Sequence, residues 1–355
     1  MSGCFRADLA LVGFGNVARR FALLLEDRRE LLMREYALDC RIVGVATRRH
    51  GGRYDPRGVD VAELDGSGSS TGGTASAAMH IIDRLGQSDA EFRVVVETTT
   101  LDIAAGEPAI EHVRAGFAAG CHVVTANKGP VAFAYARLRD EAEAAGVSFL
   151  FEGAVMDGIP IFNLVRETLP AMTLRGFRGV VNSTTNHILT ALERGERFDE
   201  ALARMQSEGI AEADASLDID GWDGAAKAAA LANVLLDARL TPHAVRRIGI
   251  QESDGLRARQ ALADGKRLKL VASAVRDGNG GVSATVEPVE LPSSDILAGL
   301  DGKANALVLQ TDLLGDLAIC QLEGSLTHTA YALLSDLVTI RRRQAQPVAP
   351  VRRIL

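Results

Sequence analysis

The stretch Leu9-Ala10-Leu11-Val12-Gly13-Phe14-Gly15-Asn16-Val17-Ala18-Arg19-Arg20 decides the fold. An apolar run runs straight into a glycine, and a helix-compatible run begins almost at once. Gly13, Gly15 and Ala18 stand between them in the spacing G-x-G-x-x-(G/A). Gly13 permits a tight turn, Gly15 lets backbone amides approach a pyrophosphate, and Ala18 lets helix and strand pack closely. The helix N-terminus then faces the negative charge. The spacing predicts a dinucleotide cradle built from Gly13, Phe14, Gly15, Asn16 and Val17.

Outward from this turn, residues 7–150 alternate short β-rich runs with amphipathic helical stretches, which predicts an α/β fold with a Rossmann-like, doubly wound parallel sheet. Strands are predicted at Asp8–Val12, Arg41–Ala46, Phe92–Glu97, His122–Ala126 and Val147–Phe151, and helices at Asn16–Met33, Ile110–Ala119 and Val131–Ala145. The Gly- and Ser-rich segment 51–76 reads as an excursion from the sheet. After residue 155 the pattern becomes mixed: a helix near Ile161–Leu169, a strand near Arg175–Asn182, helices to about 236, and strands near Leu268–Val275, Gly281–Val289 and Ala304–Thr311. This predicts a dinucleotide-binding domain over 1–153 and a second, α+β domain over 154–326 for substrate binding, catalysis and dimerisation. A helix over 327–340 has no partner in its own neighbourhood and is expected to return to the first domain, followed by a solvated tail over 341–355.

With 355 residues and 47% hydrophobic content, the chain can bury more than one core. Its apolar runs fall short of the ~20 residues that span a bilayer, and its start lacks the pattern of a secretory leader. The sequence therefore predicts a cytoplasmic protein with no membrane partner. Four cysteines without paired spacing predict thiols, and a net charge of −7 argues against nucleic acid. Gly68–Gly72 fits a serine-hydrolase elbow and Asn182–Thr184 a glycosylation site, but neither has the context its chemistry needs.

Cofactor choice in such folds lies at the end of the second strand, where an acid binds the ribose 2′-hydroxyl and arginine accommodates a 2′-phosphate. Here Arg41–Ala46 runs into Thr47-Arg48-Arg49-His50 without an acid. Arg48 and Arg49 predict NADP in preference to NAD.

Chemistry concentrates at residues 208–227, EGIAEADASLDIDGWDGAAK. Asp220 is expected to cap a helix, Asp223 to sit in its first turn, and Lys227 to pair with Asp223 at i,i+4. Helix stability alone does not account for a lysine amid acids on an alanine-rich helix, where an ammonium is costly to bury without partners. An amino-acid substrate needs a carboxylate for its ammonium, and alcohol–carbonyl interconversion needs an acid/base at the oxygen. Lys128, in Thr125-Ala126-Asn127-Lys128, follows a strand at the carboxyl end where ligands bind.

Five motifs in order, GFGNVA, Thr125–Lys128, Glu152–Val155 running on to Gly158–Ile161, Asn182–Asn186 and EGIAEADASLDIDGWDGAAK, resemble the homoserine dehydrogenase family in a form without a C-terminal regulatory domain. The resemblance runs from the first strand to about residue 240, and more weakly to 340. It implies reversible NAD(P)-dependent oxidation of L-homoserine to L-aspartate 4-semialdehyde in threonine and methionine biosynthesis, by a homodimer not subject to feedback through such a domain. It implies that the catalytic Lys227 and Lys128 flank the reacting oxygen with Asp218 beside them. Glu212 holds the substrate ammonium, Asp223, Asn182 and Thr184 line the same pocket, and Thr98, Thr99 and Asn127 lie beside the nicotinamide. Glu152 with the carbonyls of Val155, Asp157 and Ile159 resembles the family's monovalent-cation site, for Na+ or K+.

The chain departs from the family at Met156 and Asp157, where glycines are usual, and at Gln321–Ser325, where closely spaced glycines usually precede the last helix. Two rival readings are a related dehydrogenase for another amino or hydroxy acid, which a substrate panel distinguishes, and a catalytically weak NADP-binding homologue, which binds cofactor without turnover.

Overall fold

The computed structural model of the protein describes residues 4–48, 51–61, 74–208 and 214–345. The chain forms two compact units, one of residues 1–162 with 325–353 and one centred on residues 163–324.

In the first unit, β1 (Phe5–Val12), α1 (Asn16–Tyr36), β2 (Leu38–Thr47), β3 (Gly51–Tyr54), α2 (Thr74–Gly86), β4 (Phe92–Glu97), α3 (Ala109–Ala118), β5 (His122–Thr125), α4 (Lys128–Ala145) and β6 (Phe149–Leu150) follow one another. The sheet order is β3-β2-β1-β4-β5-β6, parallel except for β3. Strands buried on both faces read as unbroken apolar runs, which is why Leu9–Val12 and Val94–Val96 stood out in the sequence. The order reverses at β1, between β2 and β4, so a crevice opens beyond the carboxyl ends of β1 and β4. α1 buries Ala18, Phe21, Leu25 and Leu32 on one face. Against it lies α11 (Leu326–Ala345), whose Leu333, Leu334, Leu337 and Val338 join the same apolar cluster as Leu9 and Phe21.

Three features of this unit differ from the sequence reading. Residues 51–54 are not an excursion but an antiparallel edge strand on β2, and the reversal needs Gly51 at φ +68°. α2 was not anticipated, although Ala78, Ile81, Ile82 and Leu85 are buried at helical spacing. The Gly/Ser tract beside both masked them, and Gly44 and Gly52 lack a side chain because Ile81 packs into that space. α11 runs to Ala345, past the start of the expected tail, because Arg341 lies over the Phe5 ring at 4.0 Å and Arg342 over the Tyr36 ring at 5.3 Å.

The second unit opens with the short turn α5 (Ile161–Asn163), which straddles the boundary, and a wider helical turn over 164–168. Then come β7 (Leu174–Val180), α6 (Ser183–Glu193), α7 (Phe198–Ser207), α8 (Ser216–Ile219), α9 (Trp222–Leu235), β8 (Arg246–Arg247), α10 (Asp254–Ala263), β9 (Lys266–Arg276), β10 (Val282–Pro292), β11 (Asn305–Thr311) and β12 (Asp316–Gln321). Its sheet has the order β12-β11-β7-β9-β10-β8, antiparallel except for β8 on β10. α10, β8 and β12 were missed. β8 is two residues long, and β12 alternates exposed and half-buried positions at the sheet edge, so neither gives a strong apolar signal.

A buried histidine makes the first unit sensitive to acid. His122 on β5 is 8% exposed; its Nδ1 accepts the Ser148 N–H at 2.9 Å, and its Nε2 lies 3.0 Å from the Gln344 amide. Burial, with the Arg93 guanidinium, pulls its pKa from 6.5 to about 4. The unfolded chain therefore binds the extra proton between these values, so the stability contribution is present above the higher one and lost as pH falls to the lower. The melting temperature is expected to fall across this window. His122→Asn, which keeps an acceptor for Ser148, should flatten the dependence by roughly 3 kcal/mol at most. Thermal melts of both proteins between these pH values check this, and parallel curves would exclude His122 as the titrating group.

Candidate active site

The first unit brings its predicted residues to three neighbouring strand ends. Val12, Glu97 and Thr125 are aligned across β1, β4 and β5. Gly13, at φ +91°, lies so near β4 that a Cβ there would sit 2.7 Å from the Thr98 carbonyl carbon. The Thr98 N–H donates to the Val12 carbonyl at 2.8 Å and its hydroxyl to the Gly13 carbonyl at 2.9 Å. Gly15 faces open space, and no side chain caps the 21-residue helix that starts at Asn16. The open space at Gly15 and the uncapped helix N-terminus fit a pyrophosphate. Phe14 and Val17 pack at the edge of the apolar cluster, and Arg19 lies over the Phe14 ring at 4.7 Å.

Thr99, Asn127 and Lys128 sit beside this turn. The Asn127 amide donates to the Thr99 carbonyl at 3.0 Å, and its oxygen accepts the Gly129 N–H at 2.8 Å, capping α4 at half-buried Lys128. Arg48 is exposed just past β2, whereas Arg49 lies outside the described residues, as does the Gly68–Gly72 match.

The Glu152–Ile159 segment lies against α11. Glu152 is 2% exposed; its Oε1 accepts the Phe162 N–H at 2.8 Å, and its own N–H donates to Asp336 at 2.9 Å. Met156, Asp157 and Gly158 take consecutive positive φ values of 55°, 49° and 83°. The first two are costly for residues with a side chain, whereas Gly158 is required, since a Cβ there would lie 2.5 Å from the His328 carbonyl oxygen. One carboxylate with backbone carbonyls is an all-oxygen donor set, which suits a hard cation.

In the second unit, residues distant in sequence form one polar cluster. Asn182 caps α6, its oxygen accepting the Thr185 N–H at 2.8 Å. Its amide donates to Asp218 at 2.7 Å and to Asp223 at 2.8 Å. Lys227 Nζ lies 2.9 Å from the same Asp223 oxygen and donates to the Val181 carbonyl at 2.6 Å. Thr184 lies near enough to Asp218 to favour its ionised form. Burial, then the like charge of Asp223, raises the Asp218 pKa, against the opposing pull of Asn182 and Lys227. Asn182, Thr184, Asp218, Asp223 and Lys227 are thus together, and Glu212 lies outside the described residues. Asp220 does not cap α9: Gly221, at φ +78°, takes that place, and Asp220 closes α8. The sequence reading missed the Val181 carbonyl in this unit, and Glu97 and Thr125 in the first.

A family model described as homoserine dehydrogenase matches residues 160–338, and one described as homoserine dehydrogenase, NAD binding domain, matches residues 13–152. The chain belongs to the homoserine dehydrogenase family. It is 37% identical over 337 residues to the NAD(+)-dependent homoserine dehydrogenase of Pseudomonas canavaninivorans, covering 94% of this chain and 96% of that one. It is 34% identical over 339 residues to the homoserine dehydrogenase of Methanocaldococcus jannaschii, covering 94% and 98%. Among solved structures, a homoserine dehydrogenase from Thiobacillus denitrificans matches with TM-score 0.82 and 30% identity over 97% of this chain and 75% of that one. A putative homoserine dehydrogenase from Archaeoglobus fulgidus matches with TM-score 0.82 and 25% identity, covering 94% and 99%. Membership makes the chain an NAD(P)-dependent oxidoreductase acting on a CH–OH group. Among the described residues no helix is long and apolar enough to cross a membrane.

The raised Asp218 pKa yields a prediction with opposite signs for stability and activity. The folded carboxyl holds its proton more tightly than the unfolded one, so its contribution is present at low pH and lost as pH rises through the carboxylate range. Asp218→Asn keeps the acceptor for Asn182 and removes the repulsion from Asp223. Its melting temperature at neutral pH is expected to exceed that of the parent by about 1–3 °C, with the gap closing in acid, while turnover falls. A gap independent of pH would show that ionisation of Asp218 is not the cost.

Proposed function

We propose that the chain catalyses the reversible oxidation of L-homoserine to L-aspartate 4-semialdehyde, serving threonine and methionine biosynthesis in the cytoplasm. The observation that carries this reading is the Asp218–Asn182–Asp223–Lys227 cluster, an ammonium with a fixed counter-charge among carboxylates. A dinucleotide held at the Gly13–Val17 turn, with its nicotinamide beside Thr98, Thr99 and Asn127, would supply the hydride chemistry at the carbinol carbon. In the reductive direction Lys227 gives the substrate oxygen its proton, and in the oxidative direction it takes that proton back. Asp223 and the Val181 carbonyl hold Nζ in place during both. Lys128 supplies positive charge where the oxyanion develops. Glu212 answers the substrate ammonium, Asp218 stands with the two lysines, and Asp223, Asn182 and Thr184 line the same pocket.

Several finer assignments belong to this reading. Glu152 with the carbonyls of Val155, Asp157 and Ile159 holds Na+ or K+; the buried carboxylate and the oxygen donor set support it. NADP is preferred over NAD because Arg48 and Arg49 follow β2 without an acid, although the Pseudomonas relative is named NAD(+)-dependent. The protein acts as a homodimer, supported by the symmetry habit of oligomers and by Leu313 and Leu314, 70% and 58% exposed between β11 and the edge strand β12. Residues 1–153 bind the dinucleotide, and 154–326 bind substrate, catalyse and dimerise.

Lys227→Ala is expected to lower turnover with homoserine by about two to four orders of magnitude, the usual contribution of a positioned acid/base, with cofactor affinity nearly unchanged. If Lys227 serves only as an i,i+4 partner of Asp223, its loss costs a few tenths of a kcal/mol and turnover stays near normal. Absorbance of the reduced nicotinamide and a cofactor titration on one preparation separate these outcomes. Replacing Arg48 and Arg49 together by alanine should weaken NADP at least about tenfold more than NAD, through loss of charge-assisted contacts to the 2′-phosphate. Equal losses for both nucleotides would reject the NADP preference.

A further inference from the structure

Glu97 is fully buried at the carboxyl end of β4, directly after three buried valines. A carboxylate there is costly unless each oxygen is answered. Its Oε1 accepts the Thr99 N–H at 3.1 Å and the Thr99 hydroxyl in a short hydrogen bond, and its Oε2 accepts the Thr125 hydroxyl at 3.1 Å. Thr125 Oγ1 in turn accepts the Asn127 N–H at 2.9 Å, and the Asn127 amide reaches the Thr99 carbonyl and hydroxyl at 3.0 and 3.3 Å. This closes a ring, Glu97–Thr99–Asn127–Thr125, across two strand ends. His112, 4% exposed on α3, stands behind it with Nδ1 3.7 Å from Glu97 Oε1 and no hydrogen bond on that nitrogen.

The ring has a direction. On one side Thr98 is tied to the glycine turn, and on the other Asn127 caps the helix that begins at Lys128. The Thr98–Thr99 loop and the Asn127–Lys128 helix start are short and polar, and they touch each other directly through the Asn127 amide on Thr99. Glu97 braces that contact from behind, on Thr99 at one side and on Thr125 at the other. Aspartate, one methylene shorter, would pull back from them, and an apolar residue would leave the Thr99 hydroxyl and N–H without this acceptor and Thr125 with only the backbone carbonyl of residue 97, at 3.0 Å.

We infer that Glu97 is a positioning residue, which sets the Thr98–Thr99 loop and the Asn127–Lys128 helix start against each other as a preformed seat for the nicotinamide end of the cofactor. The inference rests on the proposed placement of the nicotinamide beside Thr99 and Asn127. It assigns Glu97 no contact with the reacting atoms. The pyrophosphate turn touches Thr98 but has an anchor of its own on β2, where the Gly13 N–H donates to the Ala46 carbonyl at 2.9 Å.

That separation gives the test. Full-length parent and Glu97→Ala proteins are titrated with NADPH and with 2′-phospho-ADP-ribose, which lacks the nicotinamide. Glu97→Ala is expected to weaken NADPH by about tenfold or more while changing the fragment's affinity by less than about threefold, as loss of buried hydrogen bonds at one end of the ligand requires. With homoserine, kcat should fall by a similar factor and KM for homoserine should stay within about threefold. Glu97→Gln, which keeps the length and one acceptor, should recover most of both losses. If Glu97→Ala does not fold, Thr125→Val, which removes one donor and leaves the carboxylate, should show the same split at smaller amplitude. Equal weakening of NADPH and fragment, or no weakening of either, would overturn the inference. A parent protein that binds NADPH but does not oxidise homoserine would defeat the proposed substrate, and the affinity ratio would still decide the role of Glu97.

Discussion

The second unit depends on one buried side chain satisfying several half-buried charges at once. The Asn182 amide donates to Asp218 and Asp223, and its oxygen caps α6. Two carboxylates this close repel, and the amide offsets that repulsion without adding charge. Lys227 then completes the neutralisation from one turn along α9, held by Asp223 and the Val181 carbonyl. The consequence for folding is that α6, α8 and α9 cannot be placed independently, because each supplies a group the others need. The consequence for chemistry is that the acid/base group arrives with its position and counter-charge already set.

The first unit solves a related problem with backbone rather than charge. Its crevice exists because strand order reverses at β1, and it is usable because Gly13 lets β1 and the β4 loop touch. Any side chain at Gly13 would push Thr98 away. It would also lose the two hydrogen bonds from Thr98 back to Val12 and Gly13. A bound dinucleotide thus meets amides at one end and a fixed polar ledge, Thr99 and Asn127, at the other. Pre-organisation of both ends reduces the ordering that binding must impose.

How much of this was legible in the sequence follows from the range of each interaction. The β1–turn–α1 unit was readable because its signals are local: a buried run, small residues at fixed spacing, a 3.6-residue period. The Lys227–Asp223 pair was readable for the same reason. The edge strand at 51–54 and helix α2 were hidden by glycine and serine between them, since low apolar content carries little periodicity. Asn182 gave no sign of its bridging role, because Asp218 and Asp223 lie 36 and 41 residues away. Its placement in the pocket came from resemblance alone. Glu97 was passed over as the end of a strand, yet an acid closing the run Phe-Arg-Val-Val-Val at a carboxyl end was a signal worth weighing.

The run Met156-Asp157-Gly158 can be read in the same physical terms. A glycine-rich turn would adopt three successive left-handed residues at little cost, whereas this chain places two side chains there. Such a conformation persists only where its surroundings over-determine it. Met156 is 2% exposed and so contributes apolar burial that glycine could not, while Gly158 remains where the His328 carbonyl leaves no room for a Cβ. The carboxylate of Glu152 anchors the far side of the turn through the Phe162 N–H, and Asp336 accepts the Glu152 N–H from α11. The turn is therefore clamped at both ends and plugged in the middle. Met156 and Asp157 are thus held by their surroundings in a positive-φ backbone that glycine would adopt at little cost.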